Sequence, residues 1–596
     1  MVNPSADPTT EPESSHVSRS DGDDWFGHPR QLARLFTVEM WERFGYYGMR
    51  ALLALYLANH FLFDDNTTNA VYGAFTSLAY LTPLVGGWIA DRYLGSKRSV
   101  KLGALLMAIG YFTLCFGGQP AKPFAMIEGQ RYEVRVEGEG QARRQYVVEG
   151  GQQLRIIGRD DGSVALVGEQ REVVKVVAKG AFKPSGHRSP FYSWLMIFAL
   201  SILVVGNGFF KPNISTIVGS LYPMGDRRRD AGFTIFYMGI NLGSLFSQIL
   251  CPWLADSVGW WAGFLLAAFG MLLSWMLIQF DGGRLEGYGD PPPGMGNKTP
   301  VILLCALLAV PVVVWLFHNV IGNAAAAAAA PGFIGYLKTL PFLGKALVVT
   351  FLLAVIGIPI WSWRAGTRAE AQMMTAAVVL VVFNVAFWTL FEQAGSSLTL
   401  FAERNTDLSI FGWFTMTAGQ TQFFNAFFIV LLAPLMSILW TAMARCGIEP
   451  TLAIKFGIAL IGVGAGFFVL VWGARYAGPN FQVSVWWLAL LYFIHSIAEL
   501  CISPVGLSMI TKLAIARVVG LMMGVWFLSI SVAQYVAGSV AQLASVETVG
   551  GQVTNFKLSL GIYLGVFSNI GIAAMVLGLV LLLLSPLIQR WTHGVT

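Results

Sequence analysis

Apolar stretches long enough to cross a bilayer as helices recur along most of this 596-residue chain, broken by short polar connections. They fall near 35–58, 69–90, 99–117, 191–215, 231–253, 259–280, 301–318, 346–363, 374–401, 411–442, 450–475, 482–508, 517–543 and 561–588. The expected fold is therefore all-α and polytopic, with fourteen spans. If each span crosses once, the basic loops all land on one side: Arg92, Lys97, Arg98 and Lys101; Arg227 to Arg229; Arg364 and Arg368; Arg445; Lys512 and Arg517. Asp64 and Asp65 mark the other side. Positive-inside bias then puts both termini in the cytoplasm; the chain is expected in the cytoplasmic membrane.

Two regions break the pattern. Residues 118–190 are polar, and the fragments RYEVRVEGEG, RQYVVEGG, QQLRIIG, GSVALVG and REVVKVVAK alternate at period two. With Asp161-Gly162 as a hairpin turn, they predict a small antiparallel β insert on the extracytoplasmic face. Residues 301–363 predict two helices without intramembrane charge, joined by the Ala324–Ala330 tract and Pro331-Gly332. Residues 1–29, rich in Ser, Asp, Glu, Pro and Thr, read as a disordered cytoplasmic tail rather than a signal peptide.

Composition agrees with a lipid-facing chain. It is 55% hydrophobic and 12% charged, against about 25% charged for soluble domains. The net charge of +6 reflects basic loops and gives no reason to expect nucleic acid. The five cysteines stand singly and read as packing residues, without a disulfide framework or metal site. No nucleophile–histidine set lies in the spans and His495 stands alone, so an enzyme is not expected. The GVGAG run at 462–466 lies inside an apolar span, where close helix packing explains it better than nucleotide binding.

The chemistry concentrates in the first span, LFTVEMWERFGYYGMRALLALYL. Glu39, Glu42, Arg43, Tyr46 and Arg50 form one continuous helical stripe. Four unpaired charges would cost on the order of 10 kcal/mol in lipid, so the stripe must face partners or water. It is either a self-neutralising structural cluster or, as intramembrane charges usually are, part of an ion or substrate path.

Together Glu39, Glu42, Arg43, Phe44, Tyr46, Tyr47 and Gly48 spell E-x-x-E-R-F-x-Y-Y-G. This resembles the signature of the proton-coupled oligopeptide transporters, a branch of the major facilitator superfamily. Later segments carry the same resemblance: GGWIADRYLGSKR, GNGFFKPNIS, FTIFYMGINLGSL, FNVAFWTLFEQAGSSL, QTQFFNAFFI, HSIAELCISPVGLS and MGVWFLS. The resemblance implies two six-helix bundles, 30–280 (containing the insert) and 371–588. Two accessory helices fill 281–370, and 589–596 forms a cytoplasmic tail. It also implies a loop latch at Asp91 and Arg92, and a buried Lys211 paired with Glu42. Glu392 would face Arg50 as an extracellular gate. Glu39, Glu42, Arg43, Lys211 and Glu392 would couple protons. Arg43, Tyr47, Arg50, Tyr80, Lys211, Asn241, Trp388, Asn425, Glu499 and Trp526 would bind substrate. A peptide's carboxylate would meet Arg43 and Lys211, and its ammonium Glu499. Taken singly, Lys211 could instead snorkel, Asn241 could bond between helices and Trp526 could be packing.

The function implied is a symporter importing di- and tripeptides by alternating access, as a monomer, with H+ as coupling ion and no cofactor. The alternatives are a carrier of nitrate or another small anion on the same frame, and a membrane receptor. The histidine that animal members carry on the second helix is absent from 69–90.

Overall fold

A computed structural model describes residues 24–138, 143–223, 226, 228–285, 287–291, 298–330 and 332–593. Most of the expected N-terminal tail, Arg227, Pro331 and the last three residues lie outside the described residues.

The chain opens with α1 (Arg30–Leu55), α2 (Asp65–Ile89) and α3 (Ser96–Leu114). Asp64 caps α2, its carboxylate accepting from the Thr67 amide at 2.9 Å. After the insert come α4 (Pro190–Ser220), α5 (Arg228–Ser257) and α6 (Trp260–Gln279). Next are α7 (Thr299–Ala328), the short α8 (Gly332–Thr339) and α9 (Phe342–Ala365). The span α10 (Arg368–Phe391) starts on a Thr367–Glu370 capping box, loosens into a 3₁₀ turn at Glu392–Gly395 and continues as α11 (Ser397–Asn405). The remainder is α12 (Phe423–Arg445), α13 (Leu452–Gly473), α14 (Val485–Leu513), α15 (Val519–Gln542) and α16 (Phe556–Trp591).

Among the described residues, eleven helical stretches are long and apolar enough to cross a membrane. The helices α1 to α3 are not among them, because the polar positions that make them interesting also lower their hydropathy. The fold is thus mostly helical and membrane-embedded.

Helices α1 to α6 pack largely on one another, and α10 to α16 do the same, except that α2 and α15 make their most extensive contact with each other across the two groups. The helices between touch both groups: α7 lies on α2 and α4, and α9 on α10 and α15. The glycine-rich 462–466 run lies within α13, which packs on α14 and α16. Where α2 crosses α15 the backbones nearly touch. A Cβ on Gly73 would sit 2.8 Å from the Gly538 Cα, so only glycine fits.

The insert is a seven-stranded antiparallel sheet: β1 (Lys122–Ile127), β2 (Gln130–Glu137), β3 (Arg144–Glu149), β4 (Gln152–Gly158), β5 (Val164–Val167), β6 (Val173–Val177) and β7 (Phe182–His187). The order is β6-β5-β4-β3-β2-β1-β7, a meander whose last strand returns beside the first. The turn from β4 to β5 uses Asp161, whose carboxylate accepts from the Ser163 amide at 2.9 Å, and Gly162 at φ +80°. Its own apolar core holds Ala125, Ile127, Val134, Val147, Leu154, Ile156 and Phe182. The first and last strands in the chain, β1 and β7, do not follow from the sequence pattern, since KPFAMI alternates weakly and FKPSGH contains Pro and Gly.

Candidate functional site

The stripe on α1 is buried among helices, not presented to lipid. Glu39, Glu42, Arg43 and Arg50 are each at most 8% exposed. Burial at that depth demands pairing, and the pairing is local. The Arg43 guanidinium donates Nη2–H to Glu42 Oε1 at 2.6 Å and presents Nε–H to the other Glu42 oxygen. Glu39 Oε1 lies 3.5 Å from the same Nε, one helical turn back. The guanidinium carbon stands 5.0 Å from the Tyr46 ring centroid and 6.0 Å from that of Tyr47. Two carboxylates therefore bracket one arginine.

Lys211, on α4, is half-buried with its ammonium 3.7 Å from the Tyr80 ring centroid. Glu42 is occupied by Arg43 here, so the Lys211–Glu42 pair expected from the resemblance is not the arrangement in this conformation. The ammonium is instead held by the π face of α2, within electrostatic reach of Glu39 and Glu42.

At the far end of the stripe, one turn past Tyr46, Arg50 joins the two halves. Its Nη2–H meets Glu392 Oε2, and its Nε–H donates to the Tyr72 hydroxyl at 2.7 Å. The 3₁₀ turn at Glu392–Gly395 lets the carboxylate reach Arg50. Gly395 leaves room for the Tyr72 hydroxyl, which a Cβ there would displace. Tyr47 lies between the groups, within electrostatic reach of Arg43, Arg50, Glu392 and Glu499.

On the other half, Asn425 of α12 donates Nδ2–H to Glu499 Oε2 and to Ser496 Oγ on α14, each at 3.1 Å. Trp388 donates Nε1–H to Asn384 at 3.1 Å, and Asn384 bonds Ser529 on α15 at 3.1 Å. Trp526 is buried on α15 with its ring against Gly506. Asn241 donates to its own helix, at the Tyr237 carbonyl, 3.0 Å away. The structure thus joins Glu39, Glu42 and Arg43 in one contact set and Arg50 with Glu392 in another. Lys211 and Glu499 come within electrostatic range of these sets, and Asn241 turns to backbone. Tyr47, Tyr80, Lys211, Asn241, Trp388, Asn425 and Glu499 all keep part of their surface accessible.

Several contributors were missed in the sequence. Tyr72 is one, hidden in a polar stretch of the second span. Arg404 is another. It forks onto Asp65, with Nη1 to Oδ2 at 2.6 Å and Nη2 to Oδ1 at 2.7 Å, and donates to Tyr563 at 3.0 Å. Reading the ninth span as ending at 401 left Arg404 in a loop. Acids near a span end gave a faint signal; the basic partner gave none. At the opposite end, Asp91 and Arg92 stand exposed, and Lys97 makes the tie, 2.7 Å from Asp281. His495 is packed against Phe391 and Phe467 and bonded to the Val463 carbonyl.

Fold and site together define a polytopic membrane carrier whose halves meet through buried ion pairs. The POT family model matches residues 97–556, and the chain belongs to that family. It is 30% identical over 572 residues to the dipeptide and tripeptide permease A of Edwardsiella piscicida, covering 96% of each chain. Its fold matches peptide transporter POT, as a mutant in complex with alafosfalin, with TM-score 0.70 and 28% identity over 96% of this chain and 97% of that one. It also matches tetrameric PepTSo2, with TM-score 0.69 and 26% identity over 94% and 99%.

Proposed function

We propose that this chain is a secondary active symporter that uses the proton gradient to import di- and tripeptides by alternating access. The observation that carries the reading is the buried Arg50–Glu392 pair, a titratable bond joining the two halves. In this reading fourteen helices span the cytoplasmic membrane as two six-helix bundles plus α7 and α9. Both termini lie in the cytoplasm, the β insert lies outside, and the monomer is the working unit. The coupling ion is H+ and no cofactor takes part.

The two halves meet closely at the end bearing the sheet. Asp65–Arg404, Asn69 to the Ala541 carbonyl at 3.1 Å, Ser77–Ser531 at 2.9 Å and Gln420 to the Ile249 carbonyl at 3.1 Å all lie toward it. The conformation is thus closed outside. Protonating Glu392 removes the charge that holds Arg50 and loosens this closure. Protonating Glu42 releases Arg43, which can then receive a peptide carboxylate together with Lys211. Glu39, 3.5 Å from the same guanidinium, shares the proton-coupling role. Glu499, steadied by Asn425, receives the peptide ammonium. Tyr47, Tyr80, Trp388 and Trp526 supply aromatic walls that tolerate varied side chains, with Asn241 able to turn from its own helix toward the peptide.

The test is competition of labelled dipeptide uptake in proteoliposomes by di-, tri- and tetrapeptides and by nitrate. The reading expects competition by di- and tripeptides alone. Competition by nitrate with none by peptides would replace it with the anion-carrier reading. Ligand binding without accumulation would favour a receptor.

A further inference from the structure

The sheet between α3 and α4 is covalently part of the first bundle, yet it is docked on the second. At its base it is tied to the α1–α2 connection. The Ala121 amide donates to the His60 carbonyl at 2.8 Å, and Arg188 Nη1–H donates to the Phe61 and Leu62 carbonyls at 3.3 Å while covering the Phe63 ring. Its far side meets the α15–α16 connection, where a hairpin forms from β8 (Thr548–Val549) and β9 (Gln552–Val553).

That second contact has three components. Val549 is fully buried and completes the apolar core of the sheet. Backbone and amide bonds flank it: the Gly158 amide donates to the Thr554 carbonyl at 3.1 Å, and Gln145 Nε2–H donates to the Val549 carbonyl at 3.3 Å. At the edge, Asp160 accepts from Lys557 Nζ at 2.6 Å and from Asn555 Nδ2 at 3.2 Å. An ornamental insert anchored only to its own bundle would need none of these.

We propose that the sheet is an outer clasp: it fastens the first bundle to the α15–α16 hairpin when the outer side is shut, and must let go of that hairpin each time the outer side opens. The inference rests on the alternating-access reading above. Rocking separates the outer ends of the bundles, and one rigid sheet cannot follow both. The hairpin contact is the one to yield, since it is made by a single valine and a few hydrogen bonds, whereas both ends of the insert are covalently continuous with α3 and α4. The clasp therefore biases the resting protein toward the outward-closed state and sets how readily the outer side admits substrate.

The geometry supplies a direct test. A Cβ built on Gly158 lies 2.7 Å from Thr554 Oγ1, where a cysteine sulfur would stand, so G158C with T554C can be bridged. Dipeptide uptake by the full chain in proteoliposomes is measured with the bridge oxidised and again after reduction. The clasp expects loss of uptake when bridged and recovery on reduction. Undiminished uptake in the bridged protein overturns it. Absence of uptake in the unaltered protein points instead to failure of the transport reading. A second pair of variants guards against misfolding: D160K alone should speed labelling of S77C by an impermeant thiol reagent from the insert side, and D160K with K557D should slow it again. No change with D160K would also overturn the clasp.

Discussion

Asp65 on α2 and Arg404 on α11 form a forked ion pair between the two halves of the molecule, with both side chains 1% exposed. The Val546 amide also donates to Asp65 Oδ2 at 2.8 Å, and Tyr563 caps Arg404. A carboxylate and guanidinium so enclosed depend wholly on each other. Removing one leaves the other charged in a low-dielectric space, a penalty of about 3–5 kcal/mol. Arg404→Ala is therefore expected to lower the thermal unfolding temperature in detergent markedly. Arg404→Met with Asp65→Leu should recover part of the loss, because no orphan charge remains. Equal loss in single and double variants would contradict this.

Gly395 is the point where α10 comes closest to Tyr72. Gly395→Ala forces a methyl group onto the hydroxyl that Arg50 uses. Uptake should fall to background in this variant while Gly357→Ala, with open space around it, stays near the parent level. Comparable uptake in both would show that the close approach is not required.

Asn425 steadies Glu499 through a hydrogen bond to its carboxyl oxygen. Such bonds contribute about 0.5–1.5 kcal/mol, so Asn425→Ala should raise the dipeptide KM severalfold, up to about tenfold. The effect should vanish for an analogue lacking the terminal amine, if Glu499 receives that group. An equal rise for both substrates would place Glu499 elsewhere.

The clasp should be insensitive to pH across the physiological range. Its hydrogen bonds from Lys557 and then Asn555 hold the Asp160 carboxyl below its ordinary value. A depressed folded value stabilises above the unfolded value, about 3.9, and that contribution is lost as pH falls through the folded one. The distance between spin labels on the sheet and on the α15–α16 hairpin should thus stay the same from about pH 5 to 8 and lengthen only below about pH 4. A steep change near pH 6 to 7 would mean another group governs the contact.

Much of this was legible in the residues, for identifiable reasons. The charged stripe of α1 could be read because charge inside an apolar span has few explanations, and the sheet because period-two alternation survives in a polar segment. Arg50 facing Glu392 came from motif resemblance. Long-range partners without a local pattern were not legible. Arg404 looks like a loop residue because the apolar run gives way to the polar AERN stretch after Phe401, and nothing near Asp65 announces a partner 339 residues away. Glu42 bonding Arg43 rather than Lys211 depends on which conformation is populated, and sequence does not encode that choice in any short pattern.

The central claim is that a titratable carboxylate holding Arg50 couples protons to peptide movement. The direct measurement compares Glu392→Gln with the parent in proteoliposomes under an inward proton gradient, scoring both concentrative dipeptide uptake and gradient-free counterflow. The account predicts that the variant loses accumulation above the external concentration yet retains counterflow. Full gradient-driven accumulation by Glu392→Gln would contradict it.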